Sequence, residues 1–308
     1  MTRSATVFTP AYAKINLTLA VLGRREDGYH RLASVMQTIS LHDTLRFSVG
    51  TAGDGRGFTC DVAELAGPDN LVTRAADLLR AEVGKPDLAA EIELHKEIPA
   101  QGGLGGGSSD AATTLAALNA LWDLGLSMAQ LETLAARLGS DIPYLVQGGA
   151  ARIEGRGEFV EPLPDAEPLW LVLAKPPVGI STAAVFRALT PADYGSADDT
   201  EAVVAAIRAG SALPFDRLTN TLETGVLRAY PDVLKTRNTL LDLGASLVIM
   251  SGSGPSLFAP YRTLVEAAKL FERAKARGLA VWLCHTVTRA QTLASRPGQV
   301  GSGGQANV

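Results

Sequence analysis

Two cysteines in 308 residues, Cys60 and Cys284, stand far apart and in no metal-ligand spacing. That excludes a disulfide framework and a cysteine-built metal site, and it leaves two small core or surface residues in a reducing compartment. An excess of positive charge is missing too. Lysine and arginine number 28 against 32 acidic residues, a net charge of -4, so nucleic acid is not held by bulk charge. No apolar run is long enough to span a bilayer. The opening residues MTRSATVFTP show no basic stretch leading into an apolar core. The expectation is a cytoplasmic protein with neither a nucleic-acid nor a membrane partner. Charged residues make up only 19% of the chain and hydrophobic residues 46%, which rules out a disordered polypeptide. The length suits roughly two domains, and no fixed-period repeat is present.

What the chain does have is glycine in one place. Residues 99–112 read PAQGGLGGGSSDAA. Ahead of them Ile92 and Leu94 alternate with Glu91, Glu93 and His95, the pattern of a half-buried strand. After them Ala111, Leu115, Leu118, Leu121 and Trp122 mark an apolar helix running to Gly125. Glycines let backbone N–H groups crowd onto a ligand, Ser108 and Ser109 suit a helix start, and a helix start gathers free donors and the positive end of the macrodipole. Strand, glycine loop and helix together make a phosphate cradle, whereas a linker would not sit between two such regular elements. No lysine follows the glycines, so this is not G-x-x-x-x-G-K-[ST], and the spacing is not that of a dinucleotide fold. The positive charge facing a phosphate must come from the helix, from a metal, or from a lysine distant in sequence.

Residues 6–22 read as a strand in which Ile15, Leu17 and Leu19 alternate with polar residues, leaving Lys14 and Asn16 side by side. Such a pair either lies on a solvated edge face or needs buried partners. Asp27-Gly28 is a turn signal that presents Tyr29 and His30, either as ordinary loop residues or as groups that stack on a base. Strand resumes over 33–49, followed by a glycine-rich loop over 50–57. Asp69 is expected to cap a helix through Leu71 and Leu79, ended by Gly84. A second helix covers 129–138. Asp141, beside Pro143, is either the N-cap of a short segment or a carboxylate brought to the cradle. Residues 150–154 and 158–160 form a hairpin.

Pro162, Pro164 and Pro168 mark a change of composition and the domain boundary. Leu169–Ala174 is a buried strand, Ser181 caps a helix carrying Val185, Phe186 and Leu189, and 191–200 is polar loop. Helices are expected over 199–209, 217–228, 231–243 and 261–277. Strands at 246–250 and 256–259 flank SGSGPS, which is either a hairpin turn or, being longer than a minimal one, a ligand-facing loop. A last strand covers 279–283. From Arg296 onward RPGQVGSGGQANV has the composition of a disordered tail.

Three stretches, AYAKINLTLAVLGRREDGYHRL, PAQGGLGGGSSDAA and MSGSGPSLFA, together resemble the three motifs of the GHMP kinases, the galacto-, homoserine, mevalonate and phosphomevalonate kinase superfamily. The first stretch, K-I-N-L-x-L followed by R-x-D-G-Y-H, is similar to the branch that phosphorylates a cytidine-diphosphate-linked methylerythritol on the non-mevalonate route to isoprenoids. The likeness runs from about Tyr12 to Ala259. It implies an α+β, two-lobed GHMP kinase fold, with an N-terminal ATP-binding lobe of ribosomal-protein-S5-like type over 1–163, a C-terminal α/β lobe over 164–291, a tail over 292–308, and the active site in the cleft.

The same likeness implies the site. Pro99, Ala100, Gln101, Gly102, Gly103, Leu104, Gly105, Gly106, Gly107, Ser108 and Ser109 would wrap the phosphates of ATP, which arrives with Mg²⁺; no residue is assigned as a metal ligand. Asp141, in G-S-D-I-P, would be the general base with Lys14 beside it. Asn16 would handle the substrate, with Tyr29 and His30 on the cytosine and Phe186 closing a sandwich on it. Ser251, Gly252, Ser253 and Gly254 would lie near the erythritol and the phosphates. Gln101 departs from the small residues frequent at its position. Asp110, a first-turn acid beside a phosphate, is expected to cap the helix or face the metal. The partner is a small molecule, and the protein a monomer or homodimer. Two rivals remain: another small-molecule kinase of the superfamily, for which the D-G-Y-H turn has no purpose, and a non-catalytic ligand sensor, which would not need both Lys14 and Asp141.

Overall fold

The computed structural model describes residues 6–50 and 57–297. Most of the expected 50–57 loop, and the end of the expected tail, therefore lie outside the described residues. Two long strands, β1 (Thr6–Arg24) and β2 (His30–Val49), run antiparallel along nearly their whole length. β2 is the hub of the first sheet. Its first half also pairs with β5 (Ala150–Gly155), and its second half with β4 (Ala90–His95). Two short strands, β3 (Phe58–Cys60) beside β4 and β6 (Phe159–Pro162) beside β5, complete six strands.

Four helices pack against this sheet: α1 (Leu71–Glu82), α2 (Gly106–Leu121), α3 (Met128–Ala136) and α4 (Ile142–Gln147). Leu45, Phe47, Ile92 and Leu94 of the strands meet Val72, Leu79, Leu115, Leu118 and Tyr144 of the helices in one core. Burying each such large side chain contributes about 1.5–3 kcal/mol.

The second sheet has the order β10–β7–β9–β8, built from β7 (Trp170–Ala174), β8 (Ile249–Met250), β9 (Leu257–Tyr261) and β10 (Val281–His285). Around it lie α5 (Thr182–Arg187), α6 (Asp198–Arg208), α7 (Glu223–Ala229), α8 (Pro231–Asp242) and α9 (Leu264–Ala276). The two lobes share a core. Ala13, Ile15 and Leu17 of β1 pack with Leu169, Leu171, Val203, Ile207 and Phe258 of the C-terminal lobe. β1 is thus a buried strand between lobes, and the reading of Lys14 and Asn16 as a solvated edge is lost.

Several boundaries differ from expectation, each for a local reason. The first helix is capped by Asn70 rather than Asp69, because the Asn70 side chain accepts from Val72 N (2.8 Å). The helix expected over 217–228 breaks into a 3₁₀ turn at Phe215–Arg217 and α7. Between them the chain docks on β1, with Leu19 N donating to Thr219 O (2.8 Å) and Thr221 N to Leu19 O (2.9 Å). That pairing takes the backbone groups a helix would have used. Ser181 stands at the start of α5 without a side-chain cap bond. The expected tail begins too early. Residues 289–294 form α10 (Arg289–Ala294), opened by a capping box at Thr288 and Gln291, and Arg296 is buried. Among the described residues no helix is long and apolar enough to cross a membrane.

Candidate active site

The glycine loop joins β4 to α2. The helix starts at Gly106, two residues earlier than the serines suggest, with Gly105 as its N-cap at φ +72. Ser109 spends its hydroxyl on Tyr12 O (2.7 Å), not on the helix end. The loop seats on β1: Lys14 N donates to Leu104 O (2.9 Å), and a Cβ at Gly105 would stand 3.1 Å from Lys14 Cγ. It also seats on the SGSGPS turn. Ser251 Oγ donates to Gly103 O (3.1 Å), and Ser256 N to Gly102 O (3.2 Å). The first lysine motif, the glycine loop and the C-terminal glycine turn therefore meet at one place, although more than 230 residues separate Lys14 from Gly252.

At that place Lys14 is almost fully buried. Its ammonium donates to Asn16 Oδ1 (2.9 Å) and lies 3.6 Å from Asp141 Oδ2. Asn16 in turn donates to Ser34 Oγ (2.8 Å). Gly252 sits against the same pair, since a Cβ there would be 3.3 Å from Lys14 Nζ and 3.5 Å from Asn16 Oδ1. The buried polar pair on β1 thus has its partners. Asp141 occupies the N-cap position of α4 but makes no capping hydrogen bond; its side chain is 34% exposed and turned to Lys14. A carboxylate that declines the ordinary cap and faces a buried ammonium is free to meet a ligand. Ser253 is fixed from the other side by a hydrogen bond with Thr182 of α5 (2.8 Å). Asn220, which broke the expected helix, donates to Met250 O and Gly252 O (2.7 and 2.8 Å) and so braces the turn.

The aromatic residues divide. His30, the first residue of β2, lies 5.4 Å from the Phe186 ring and 5.9 Å from that of Tyr194. Burial and the nearby Arg24 charge hold its imidazole below the ordinary histidine value, which keeps it neutral at pH 7. Tyr29 points elsewhere. The residue is 55% exposed, and its ring lies under the Arg156 guanidinium at 5.2 Å. The structure therefore brings Phe186 to His30 but does not gather Tyr29 with them. Tyr194 is an addition that sequence spacing did not single out, being one aromatic in a polar stretch. Gln101 takes a positive φ of 52° and reaches the segment before α5: a Cβ at Gly179 would fall 2.2 Å from Gln101 Oε1.

Lys96 was also missed, because at the end of β4 it reads as a solvated lysine. It is buried between Asp43 and Asp110, bonding both carboxylates. Asp43 accepts as well from Glu97 N (2.6 Å) and Ile98 N (2.8 Å), so one carboxylate on β2 anchors the root of the loop. Asp110 accordingly does not cap the helix but is buried against Lys96. Burial pushes its carboxyl up to about 8 against the pull of Lys96, with Asp43 on the same ammonium adding to the rise.

The consequence for stability has a definite sign. Between the unfolded value of about 4 and about 8 in the fold, the native state holds a proton that the unfolded chain has lost. Stability therefore falls as pH rises through that window. Asp110→Asn does not titrate, so its melting temperature relative to wild type is expected to climb from pH 5 to pH 8.5. A difference that stays flat or declines would contradict the raised carboxyl.

Among the described residues, no three histidine, cysteine, aspartate or glutamate side chains converge to hold a metal.

These features define a class: a two-lobed fold in which a glycine loop and the helix start behind it meet a buried lysine and a carboxylate. Comparison with known proteins agrees. The N-terminal domain of the GHMP kinases is matched over residues 70–149 and their C-terminal domain over 203–279. A solved homoserine kinase from Cytophaga hutchinsonii shares the fold, with a TM-score of 0.71 at 18% identity over 95% of this chain and 98% of that one. Nearer in sequence is the 4-diphosphocytidyl-2-C-methyl-D-erythritol kinase of Pelotomaculum thermopropionicum, 47% identical over 265 residues, 85% of this chain and 92% of that protein. A crystal structure of a 4-(cytidine 5'-diphospho)-2C-methyl-D-erythritol kinase superposes with a TM-score of 0.79 at 35% identity, covering 91% and 99% of the two chains. The chain belongs to the 4-diphosphocytidyl-2-C-methyl-D-erythritol kinase family of the GHMP kinases.

Proposed function

We propose that the protein transfers the γ-phosphoryl group of ATP to the 2-hydroxyl of 4-diphosphocytidyl-2-C-methyl-D-erythritol, giving the 2-phosphate and ADP, in the methylerythritol phosphate route to isoprenoids. The observation that carries the reading is the Asp141–Lys14 pair, 3.6 Å apart, where the glycine loop and the SGSGPS turn close on β1.

Phosphoryl transfer needs in-line positioning and neutralised charge more than covalent chemistry. The first-turn N–H groups of α2 and its positive end hold the phosphates. Mg²⁺, bound with the nucleotide, supplies further neutralisation. Asp141 accepts the hydroxyl proton as the acceptor oxygen attacks. Lys14, kept in place by Asn16, orients that carboxylate and carries positive charge toward the transferring group. His30 and Phe186, with Tyr194 behind, form the aromatic wall for the cytosine, and Tyr29, turned to Arg156, stands outside it. Only small diffusible partners are required, which fits a cytoplasmic enzyme.

A coupled ADP-release assay with Mg-ATP tests the reading by offering the cytidine substrate, homoserine and mevalonate side by side. Turnover with the first alone supports it. Turnover with another acceptor keeps the phosphoryl chemistry and overturns the substrate, and ATP binding without turnover on any acceptor favours a sensor. Within the site, Phe186→Ala is expected to raise KM for the cytidine substrate about five- to hundredfold, the worth of one stacked base, with KM for ATP unmoved. Tyr29→Ala should raise it less, because its ring is exposed and turned to Arg156. Equal KM values for wild type and Phe186→Ala would dismiss the aromatic wall.

A further inference from the structure

Arg296 is a fully charged side chain placed where a tail was expected. It is only 5% exposed, and among the described residues no carboxylate pairs with it. Burial pushes its guanidinium down to about 10. An unpaired buried cation is costly unless other groups replace its hydration. Here the replacements are two carbonyls, Leu145 O and Val146 O. Both belong to the last turn of α4, where carbonyls lack intrahelical partners and the helix end is negative. Asp141 is the residue immediately before α4.

The rest of the C-terminal segment is fitted to the same element. A Cβ on Gly148, at the end of α4, would stand 2.6 Å from Thr292, and one on Gly149 would stand 2.8 Å from Arg289. The segment is therefore packed flush against that turn. Arg289 donates to Ala150 O (2.8 Å) and Leu163 O (3.2 Å). Within α4, Tyr144 hydrogen-bonds with Gly149 O (2.8 Å) and Thr38 (3.0 Å), and Thr38 O accepts from Val287 N (2.9 Å). The chain leaves β10 in the C-terminal lobe, crosses back, and wraps the short helix from behind.

We propose that Arg296 is a positioning residue for the phosphoryl-transfer step: it pins the C-terminal end of α4 and thereby sets where Asp141 stands against Lys14. Six residues make a helix of fewer than two turns, too short to hold its own geometry in water. Its position must come from what it is fastened to. The inference rests on Asp141 being the general base.

The test is a double-mutant cycle in the full-length chain. Arg296→Met is expected to lower kcat about tenfold, within the range a displacement of an ångström or less produces, with KM for ATP and for the cytidine substrate unchanged. Arg296→Lys, which keeps the charge but not the forked donor, should recover part of that loss. In an Asp141→Asn background, Arg296→Met should change kcat no further, because the group it positions is gone. Wild-type kcat in a folded Arg296→Met protein overturns the proposal. So does a tenfold loss that persists in the Asp141→Asn background, or one that appears in KM instead. If Arg296→Met does not fold, Arg296→Lys decides: a full wild-type kcat there overturns the proposal, and an intermediate one supports it. Failure of the base reading is seen separately, as near-normal turnover in Asp141→Asn alone.

Discussion

Asp141→Asn should reduce kcat by about 10²–10⁴-fold, the usual worth of a general base, equivalent to roughly 3–5 kcal/mol of barrier. The amide has the shape of the carboxylate but cannot take a proton at neutral pH. The fold should tolerate the change, because Asp141 makes no cap bond to α4 and its side chain is 34% exposed. Lys14 keeps its bond to Asn16 (2.9 Å) in either case. The measurement is kcat at saturating Mg-ATP and cytidine substrate, alongside a melting curve and the affinity for ATP. Loss of kcat with melting and ATP affinity retained supports Asp141 as the base. A cleanly folded variant that turns over at near the wild-type rate would remove it from the reaction and return it to being a helix-start residue.

Gly103→Ala should be the most damaging alanine substitution among the described glycines. The added Cβ would lie 2.3 Å from Ser251 O and 3.1 Å from both Gly254 N and Gly254 O. All three are backbone atoms, so no side chain can rotate out of the way. The position also has φ +74, a conformation that costs a residue with a Cβ about 1–2 kcal/mol. Overpacking adds about 1–3 kcal/mol. Together they predict a loss of about 2–5 kcal/mol, read as a lower melting temperature, and a rise in KM for ATP as the loop is forced off the SGSGPS turn. Gly107→Ala is the control. A Cβ there meets only Leu71 Cδ1, at 3.8 Å, and the position is helical, where alanine is favoured by about 0.5–1 kcal/mol. Its melting temperature should hold or rise. Equal melting of both variants would show that the loop and the turn are not in contact.

These two glycines are neighbours in one motif and indistinguishable by pattern, which marks where sequence reasoning stopped. The strand, glycine loop and helix were legible in that order, because they are local and periodic signals. So were the order of most elements, the turn at Asp27-Gly28 and the presence of three chemistry-bearing stretches. Asp69 against Asn70 shows the limit of local rules: either residue caps a helix, and the choice depends on which side chain reaches Val72 N. The helix expected over 217–228 failed for a longer-range reason. Its middle could be helical on propensity alone, but β1 offered its backbone a partner and Asn220 found the SGSGPS carbonyls.

The sequence by itself determined what is written in short stretches: an α+β chain with a glycine loop between a strand and a helix, a lysine and asparagine adjacent on one strand, and an aspartate at a helix start. Only the tertiary structure decided which of these meet. It brought Lys14 to Asp141, Gly103 onto Ser251, and His30 to Phe186 while turning Tyr29 away. It also put Lys96 and Arg296, which look like ordinary surface charges in the sequence, into buried bonds at the root of the loop and behind α4. The reason is physical. Periodicity and capping act over a few residues, whereas the partner of a buried charge is set by which distant segment the packing delivers to it.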